Sequence, residues 1–212
     1  METVIYGHRP CDAGTMSGFV VLEGIDGCGK SSVSKLVVKK MGKRAVFTRE
    51  PTDTWIGKAV RKGDKQELSP YTDALLFMAD RAQHTEEIAK LLRKGKLVVS
   101  DRYYHSTVAY QAVCLKGVFE GDPFRWLLES NLKISIPPDL TVILDIPPEL
   151  GLKRISGRDR LSRFEKLSFL RQVRANYLRL ARLDDTIAKI DASSDLDSVT
   201  EAVLELVRER NL

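Results

Sequence analysis

The chain predicts an α/β fold in which a five-stranded parallel sheet, flanked by helices, carries a phosphate-binding loop of the P-loop NTPase kind. Three observations lead there. Five short apolar runs, at residues 19–23, 45–48, 97–100, 140–145 and 187–190, recur with helix-patterned stretches between them. They are mostly non-alternating, as strands covered on both faces are. Next, Gly24-Ile25-Asp26-Gly27-Cys28-Gly29-Lys30-Ser31 spells GxxxxGKS between the first run and a helical pattern. That strand-loop-helix context separates a nucleotide site from a chance string. Finally, the third run ends in Asp101, and a strand-end carboxylate beside such a loop is the second signature of this fold.

Each element follows from local signals. The helix after the loop places Val33, Leu36 and Val37 on one face and stops near Gly42. The longest helix takes Ser69 as N-cap and Pro70 as its first residue, and runs to Gly95 as a C-terminal glycine. Asp122-Pro123 opens another helix, and Pro137-Pro138 breaks the chain before the fourth strand. Residues 194–197 cap a terminal helix with Val199, Val203, Leu206 and Val207 at helical spacing. Residues 1–17 read as an unpatterned tail and 18–212 as a single domain, for which 43 % apolar composition supplies one well-buried core.

Composition narrows the function classes. No apolar run reaches membrane-spanning length, and residues 1–17 lack both a basic start and an apolar stretch, so a cytoplasmic protein without membrane partners is expected. Cys11, Cys28 and Cys114 are odd in number and scattered, which fits reduced thiols rather than a disulfide frame or a metal cluster. The net charge of +5 is uneven: residues 151–182 hold ten Lys/Arg against Asp159 and Glu165, so the rest of the chain is net negative. Such a segment suits a polyanion, either ATP phosphates or nucleic acid, or the solvated face of a helix.

The loop dictates its own chemistry. Backbone N–H groups from Gly24, Ile25, Asp26, Gly27, Cys28, Gly29, Lys30, Ser31 and Ser32 wrap the phosphates of ATP, helped by the helix N-terminus behind them. Lys30 reaches the β/γ oxygens, the Ser31 hydroxyl ligates Mg²⁺, and Asp101 holds that ion directly or through water. None of Asn131, Asn176 and Asn211 lies in an Asn-Lys-x-Asp box, so a guanine-specific GTPase is not indicated. Arginines drawn from several segments instead suit a kinase of small phosphorylated acceptors.

Taken with the loop, the strings Thr48-Arg49-Glu50-Pro51, Leu76-Phe77-Met78-Ala79-Asp80-Arg81 and Ser100-Asp101-Arg102-Tyr103-Tyr104-His105-Ser106-Thr107-Val108-Ala109-Tyr110-Gln111 resemble thymidylate kinase over residues 19 to about 193. The resemblance implies ATP-dependent phosphorylation of dTMP to dTDP with Mg²⁺, a homodimer, and no nucleic-acid partner. Phe77 and Arg81 lie four apart on one helix face, and the resemblance has Phe77 stack on thymine while Arg81 donates to its O4. It places Thr107 and Gln111 at the base edge, Tyr110 where a ribose 2′-hydroxyl would go, and Ser106 in the same pocket. Asp26 is odd among phosphate-binding amides, since its charge repels their ligand; in the family this acid meets the acceptor's 3′-hydroxyl. Arg49 and Arg102 match the arginines that grip the dTMP phosphate, and Arg61 lines the same pocket.

Glu50-Pro51 matches a family turn compatible with a cis bond, although the bacterial Glu-Pro-Gly-Gly continues here as Thr52-Asp53. Residues 154–165 resemble an arginine-rich lid. Family members with Gly at the position of Gly27 supply a catalytic arginine from that lid. Arg158 and Arg160 are therefore expected, with Lys30 and Arg102, to neutralise the passing phosphoryl group, with Arg154 and Arg163 behind them. Two alternatives stand beside this reading. One is a kinase for another nucleoside monophosphate or a deoxynucleoside. The other is a nucleotide-dependent nucleic-acid-binding protein using the basic segment, where only Phe164, Phe169 and Tyr177 could stack on bases.

Overall fold

Strand β1 (Gly18–Glu23) is buried along its whole length, as only a strand with neighbours on both edges and helices on both faces can be. The computed structural model, which describes residues 17–64, 66–156 and 166–212, places it in the middle of a five-stranded sheet of order β2-β3-β1-β4-β5. The other strands are β2 (Ala45–Arg49), β3 (Leu97–Asp101), β4 (Leu140–Asp145) and β5 (Ile187–Asp191), and every pairing in the sheet is parallel. All five expected runs are strands, most of them one residue longer than the sequence suggests. Because β1 has β3 on one side and β4 on the other, strand order reverses beside it. The crevice outside the C-terminal ends of these strands is where open α/β sheets bind ligands.

The helices explain themselves locally. Helix α1 (Lys30–Met41) buries Val33 and Val37 and ends at Gly42. Helix α2 (Trp55–Gly63), capped by the Thr54 side chain accepting from the Gly57 N–H, escaped the sequence patterning because it is short and carries an interior glycine. Helix α3 (Pro70–Arg93) has Ser69 at its N-cap position, but the expected side-chain cap bond is not made; Pro70 leaves one fewer N–H to satisfy. Helices α4 (Tyr104–Leu115) and α5 (Pro123–Leu132) follow, the second capped by Asp122 accepting from Phe124 and Arg125 N–H groups. Helices α6 (Pro148–Ile155), α7 (Leu167–Leu183) and α8 (Leu196–Glu209) complete the described elements, with Asp195 capping α8. The apolar core lies between the sheet and these helices, from Phe19 and Leu97 to Leu170 and Val203.

Part of the basic segment is consumed in packing. On α7, Arg174 forms a two-pronged pair with Asp145 at 2.6 and 2.9 Å, Arg171 meets Glu149 at 2.7 Å, and Arg179 meets Asp122 at 2.9 Å. All three tie α7 to its neighbours; the exposed Arg171 and Arg179 pairs each add little stability, whereas the forked Arg174–Asp145 pair is partly buried. They do not form a track for a polyanion. Cys28 is a buried thiol, and no described helix is long and apolar enough to cross a membrane.

Candidate active site

The loop sits at the C-terminal end of β1, and its lysine is held by the loop itself. Lys30 Nζ donates to the carbonyls of Gly24 and Ile25, both at 2.9 Å, and lies 3.6 Å from Cys28 Sγ. Gly27 adopts φ +83°, and a Cβ built on it would come within 2.2 Å of the Gly151 carbonyl of α6. The loop is thus pinned under α6 at a point where no side chain fits. Beside it the Ser31 hydroxyl donates to Asp101 Oδ2, while Asp101 Oδ1 is buried without a hydrogen-bond partner. An orphaned carboxylate oxygen next to a hydroxyl is an all-oxygen donor set of the sort Mg²⁺ selects, so these residues fit the ion.

Asp26 joins the loop to the opposite wall. Its Oδ1 accepts from Arg102 Nη2, and its Oδ2 accepts from the Tyr110 hydroxyl at 3.2 Å. The Arg102 guanidinium lies 5.3 Å from the Tyr110 ring centre, and its Nη1 donates to Ser106 Oγ at 3.1 Å. Burial opposes the charge on Arg102, and the Asp26 carboxylate more than restores it. Arg102 also has φ +74°, a left-handed conformation that costs a non-glycine residue and collects at functional sites. Its N–H donates to the Leu22 carbonyl at 3.0 Å, which ties the strained residue to β1.

Ser106 is placed differently from expectation. Its hydroxyl is engaged with Glu23 Oε2 at 2.6 Å, Tyr177 at 2.9 Å and Arg102, and its N–H donates to Glu23 Oε1. Ser106 therefore braces Arg102 rather than presenting a free hydroxyl to a ligand. Glu23, which sequence reading passed over as the end of a strand, is the hub of that brace. Burial raises its carboxyl above the usual range, against hydrogen bonds from Ser106 and the charge of Arg102.

The wall opposite the loop is built by α3 and α4. Asp73, Phe77 and Arg81 follow one another at four-residue intervals along α3, so they share a face. Phe77 is half-buried. Arg81 is only 1 % exposed, with Nη2 on Glu50 Oε2 at 2.5 Å, Nη1 on Asn131 Oδ1 at 2.7 Å, and Nε buried without a partner. From α4, Thr107 Oγ1 is likewise buried and unpartnered, while Gln111 Nε2 donates to Asp73 Oδ2 at 3.2 Å. Buried polar atoms without partners are costly and rare. Two of them on facing helices suit a ligand with a polar edge.

Glu50 anchors this wall at the turn after β2, and the Glu50-Pro51 bond is cis. His84 Nδ1 lies 3.0 Å from Glu50 Oε1, and His84 Nε2 lies 2.6 Å from Thr48 Oγ1. Burial alone would raise the Glu50 carboxyl; the Arg81 charge and the contacts with His84 outweigh it, and its pKa is lowered. A carboxyl lowered on folding adds stability that is complete above the unfolded value and is lost as pH falls through the folded one. Thermal melts between about pH 3 and 5, the ordinary carboxylate region and just below, are expected to show a shallower acid loss in Glu50→Gln than in wild type. Equal slopes would deny this pair its role in acid stability.

Arg49 and Arg61 converge on one acid. Arg49 Nη2 donates to both oxygens of Asp53 at 2.8 and 3.1 Å, and Arg61 Nη2 lies 3.4 Å from Oδ1 while its Nη1 donates to the Pro51 carbonyl at 2.9 Å. The turn that holds Asp53 is secured by buried Asp80, which accepts from the Thr52 N–H and hydroxyl at 2.7 and 2.5 Å. Asp80, Asn131 and His84 had no local signal beyond being polar residues in helices with apolar faces. Arg154 donates to the carbonyls of Ala192 and Ser193, both at 3.0 Å, and so clamps the end of β5. Arg158, Arg160 and Arg163 lie outside the described residues.

Comparison with known proteins agrees with this geometry. The thymidylate kinase family model matches residues 22–203. The chain is 38 % identical over 212 residues to the probable thymidylate kinase of Thermococcus gammatolerans, covering 93 % of this chain and 99 % of that one. It is 40 % identical over 196 residues to the corresponding Methanosarcina barkeri protein, covering 90 % and 95 %. Among solved structures, thymidylate kinase from Candida albicans superposes with a TM-score of 0.78 at 25 % identity, covering 94 % of each chain.

Proposed function

The chain belongs to the thymidylate kinase family, and from that premise we propose how its residues divide the transfer of a phosphoryl group from ATP to dTMP, which yields ADP and dTDP. The observation that carries the assignment is Asp26, a donor-loop carboxylate bound by Arg102 and Tyr110 of the facing wall. This contact supports a reading in which the two nucleotides lie on either side of one acid.

The acceptor is itself a phosphate anion, so the transfer needs alignment and charge neutralisation rather than a strong base. Loop amides and Lys30 hold the ATP phosphates, Arg102 spans the gap between donor and acceptor, and Arg158 with Arg160 adds charge from the lid. Ser31 and Asp101 would hold Mg²⁺, which when bound offsets charge on the donor phosphates. Phe77 stacks on the base; Arg81, Thr107 and Gln111 read its edge; Tyr110 fills the space of a 2′-hydroxyl; and Asp26 meets the 3′-hydroxyl. Ser106 acts through Arg102.

ADP release with a panel of monophosphates tests the reading. dTMP is expected to be the best acceptor, with dUMP behind by a factor of about 10 to 200, since a methyl group is worth only that much discrimination. dCMP should be rejected far more strongly, because its amino group leaves buried donors unpaired. Equal rates with dCMP or AMP would overturn the assignment of the base pocket.

Arg49 and Arg61 grip the acceptor phosphate in this reading, and Asp53 competes for them. Asp53→Asn is expected to lower KM for dTMP several-fold with kcat nearly unchanged; a raised KM would mean that Asp53 orients the arginines instead. Exposed Trp55 and Leu75 on α2 and α3 support a homodimer, which sedimentation over a concentration series checks. The scattered, odd-numbered cysteines suit a cytoplasmic location, which fractionation of cells would test.

A further inference from the structure

We infer that Asp73 sets the pyrimidine specificity of the acceptor site by locking the side-chain amide of Gln111 in one orientation. The inference rests on the reading that Gln111 faces the base edge. Asp73 lies in the first turn of α3 and Gln111 near the middle of α4, each about 2 % exposed, with Gln111 Nε2 donating to Asp73 Oδ2 at 3.2 Å. Asp73 is one helical turn before Phe77, on the face that carries Phe77 and Arg81. The lock is therefore part of the wall assigned to the base.

The reason lies in the symmetry of an amide. Its oxygen and NH₂ group are almost the same size, and a half-turn exchanges an acceptor for a donor. Thymine shows an acceptor at O4 beside a donor at N3–H, whereas cytosine shows a donor at its amino group beside an acceptor at N3. A glutamine free to turn over satisfies either base and rejects neither. An ionised carboxylate can only accept. Held against Asp73, the amide must direct one N–H at that residue, because the turned form would set oxygen against oxygen in a buried place. The other N–H and the carbonyl are then offered to the base in one fixed order. This also explains a buried carboxylate where an apolar side chain would pack more cheaply.

Asp73→Asn keeps the shape but can give as well as accept, so it frees the flip. The ratio of kcat/KM for dCMP to that for dTMP is expected to rise at least ~10-fold, the scale of one buried mismatched hydrogen bond. In a Gln111→Ala background the same exchange should leave the ratio unchanged, which a merely structural role would not produce. Asp73→Glu, still acceptor-only, should keep the ratio low, and Asp73→Ser, which gives and accepts, should relax it; Asp73→Ser decides the matter if Asp73→Asn does not fold. A ratio within ~2-fold of wild type in both active Asp73→Asn and Asp73→Ser proteins, or an equal rise in the Gln111→Ala background, would overturn the lock while leaving dTMP kinase activity intact. Failure of the wild-type protein to prefer dTMP over dCMP would instead reject the base pocket on which the lock depends.

Discussion

Replacing Arg102 with alanine is expected to lower turnover roughly 10³-fold or more, the scale of an arginine that neutralises a transferring phosphoryl group, while ATP affinity changes little. The guanidinium touches Asp26 of the donor loop and Ser106 of α4. Its removal also takes away the guanidinium charge that offsets Asp26 beside two phosphates, which adds repulsion to the lost attraction. Arg102→Lys keeps the charge but not the fork that holds two partners at once, so it should recover only part of the rate. Backbone strain supplies a control: at φ +74° glycine is favoured, and Arg102→Gly should melt above Arg102→Ala although both are inactive. Steady-state kinetics decide the main point. Turnover in Arg102→Ala within tenfold of wild type would remove Arg102 from the catalytic machinery.

The second large effect concerns Arg158 and Arg160. Their joint replacement by alanine is expected to reduce kcat by roughly 10³ to 10⁵, as for arginines that act on the transition state alone, with little change in KM for dTMP. Gly27 leaves no room for a side chain in the loop, Arg49 and Arg61 share Asp53, and Arg154 clamps backbone carbonyls. Arg171, Arg174 and Arg179 are paired with carboxylates. The resemblance to family members with Gly at the position of Gly27 implies a working arginine in the lid string, and on that resemblance Arg158 and Arg160 are proposed as its source. Near-normal turnover in both single variants would refute this.

The strands were legible because burial on both faces writes a continuous apolar run, and the loop because its chemistry is local: glycines, a lysine and a hydroxyl within eight residues. Asp101 was legible for the same reason, as a carboxylate closing such a run. The Glu50 network was not. Its members lie 31 and 34 residues from Glu50 in Arg81 and His84, and Asn131 lies 50 residues from Arg81, so only the packing of α3 and α5 brings them together. Ser106 shows the limit of resemblance: the motif places it in the pocket, but Glu23, buried at the end of β1, claims its hydroxyl. Arg154 was counted with the lid for its charge, yet carbonyls at the end of β5 decide what it does.

The seating of Gly27 against Gly151 has a bearing on ancestry. The first atom of any new side chain at position 27 would collide with α6 backbone, so a substitution there would have to be inherited together with a shift of that helix.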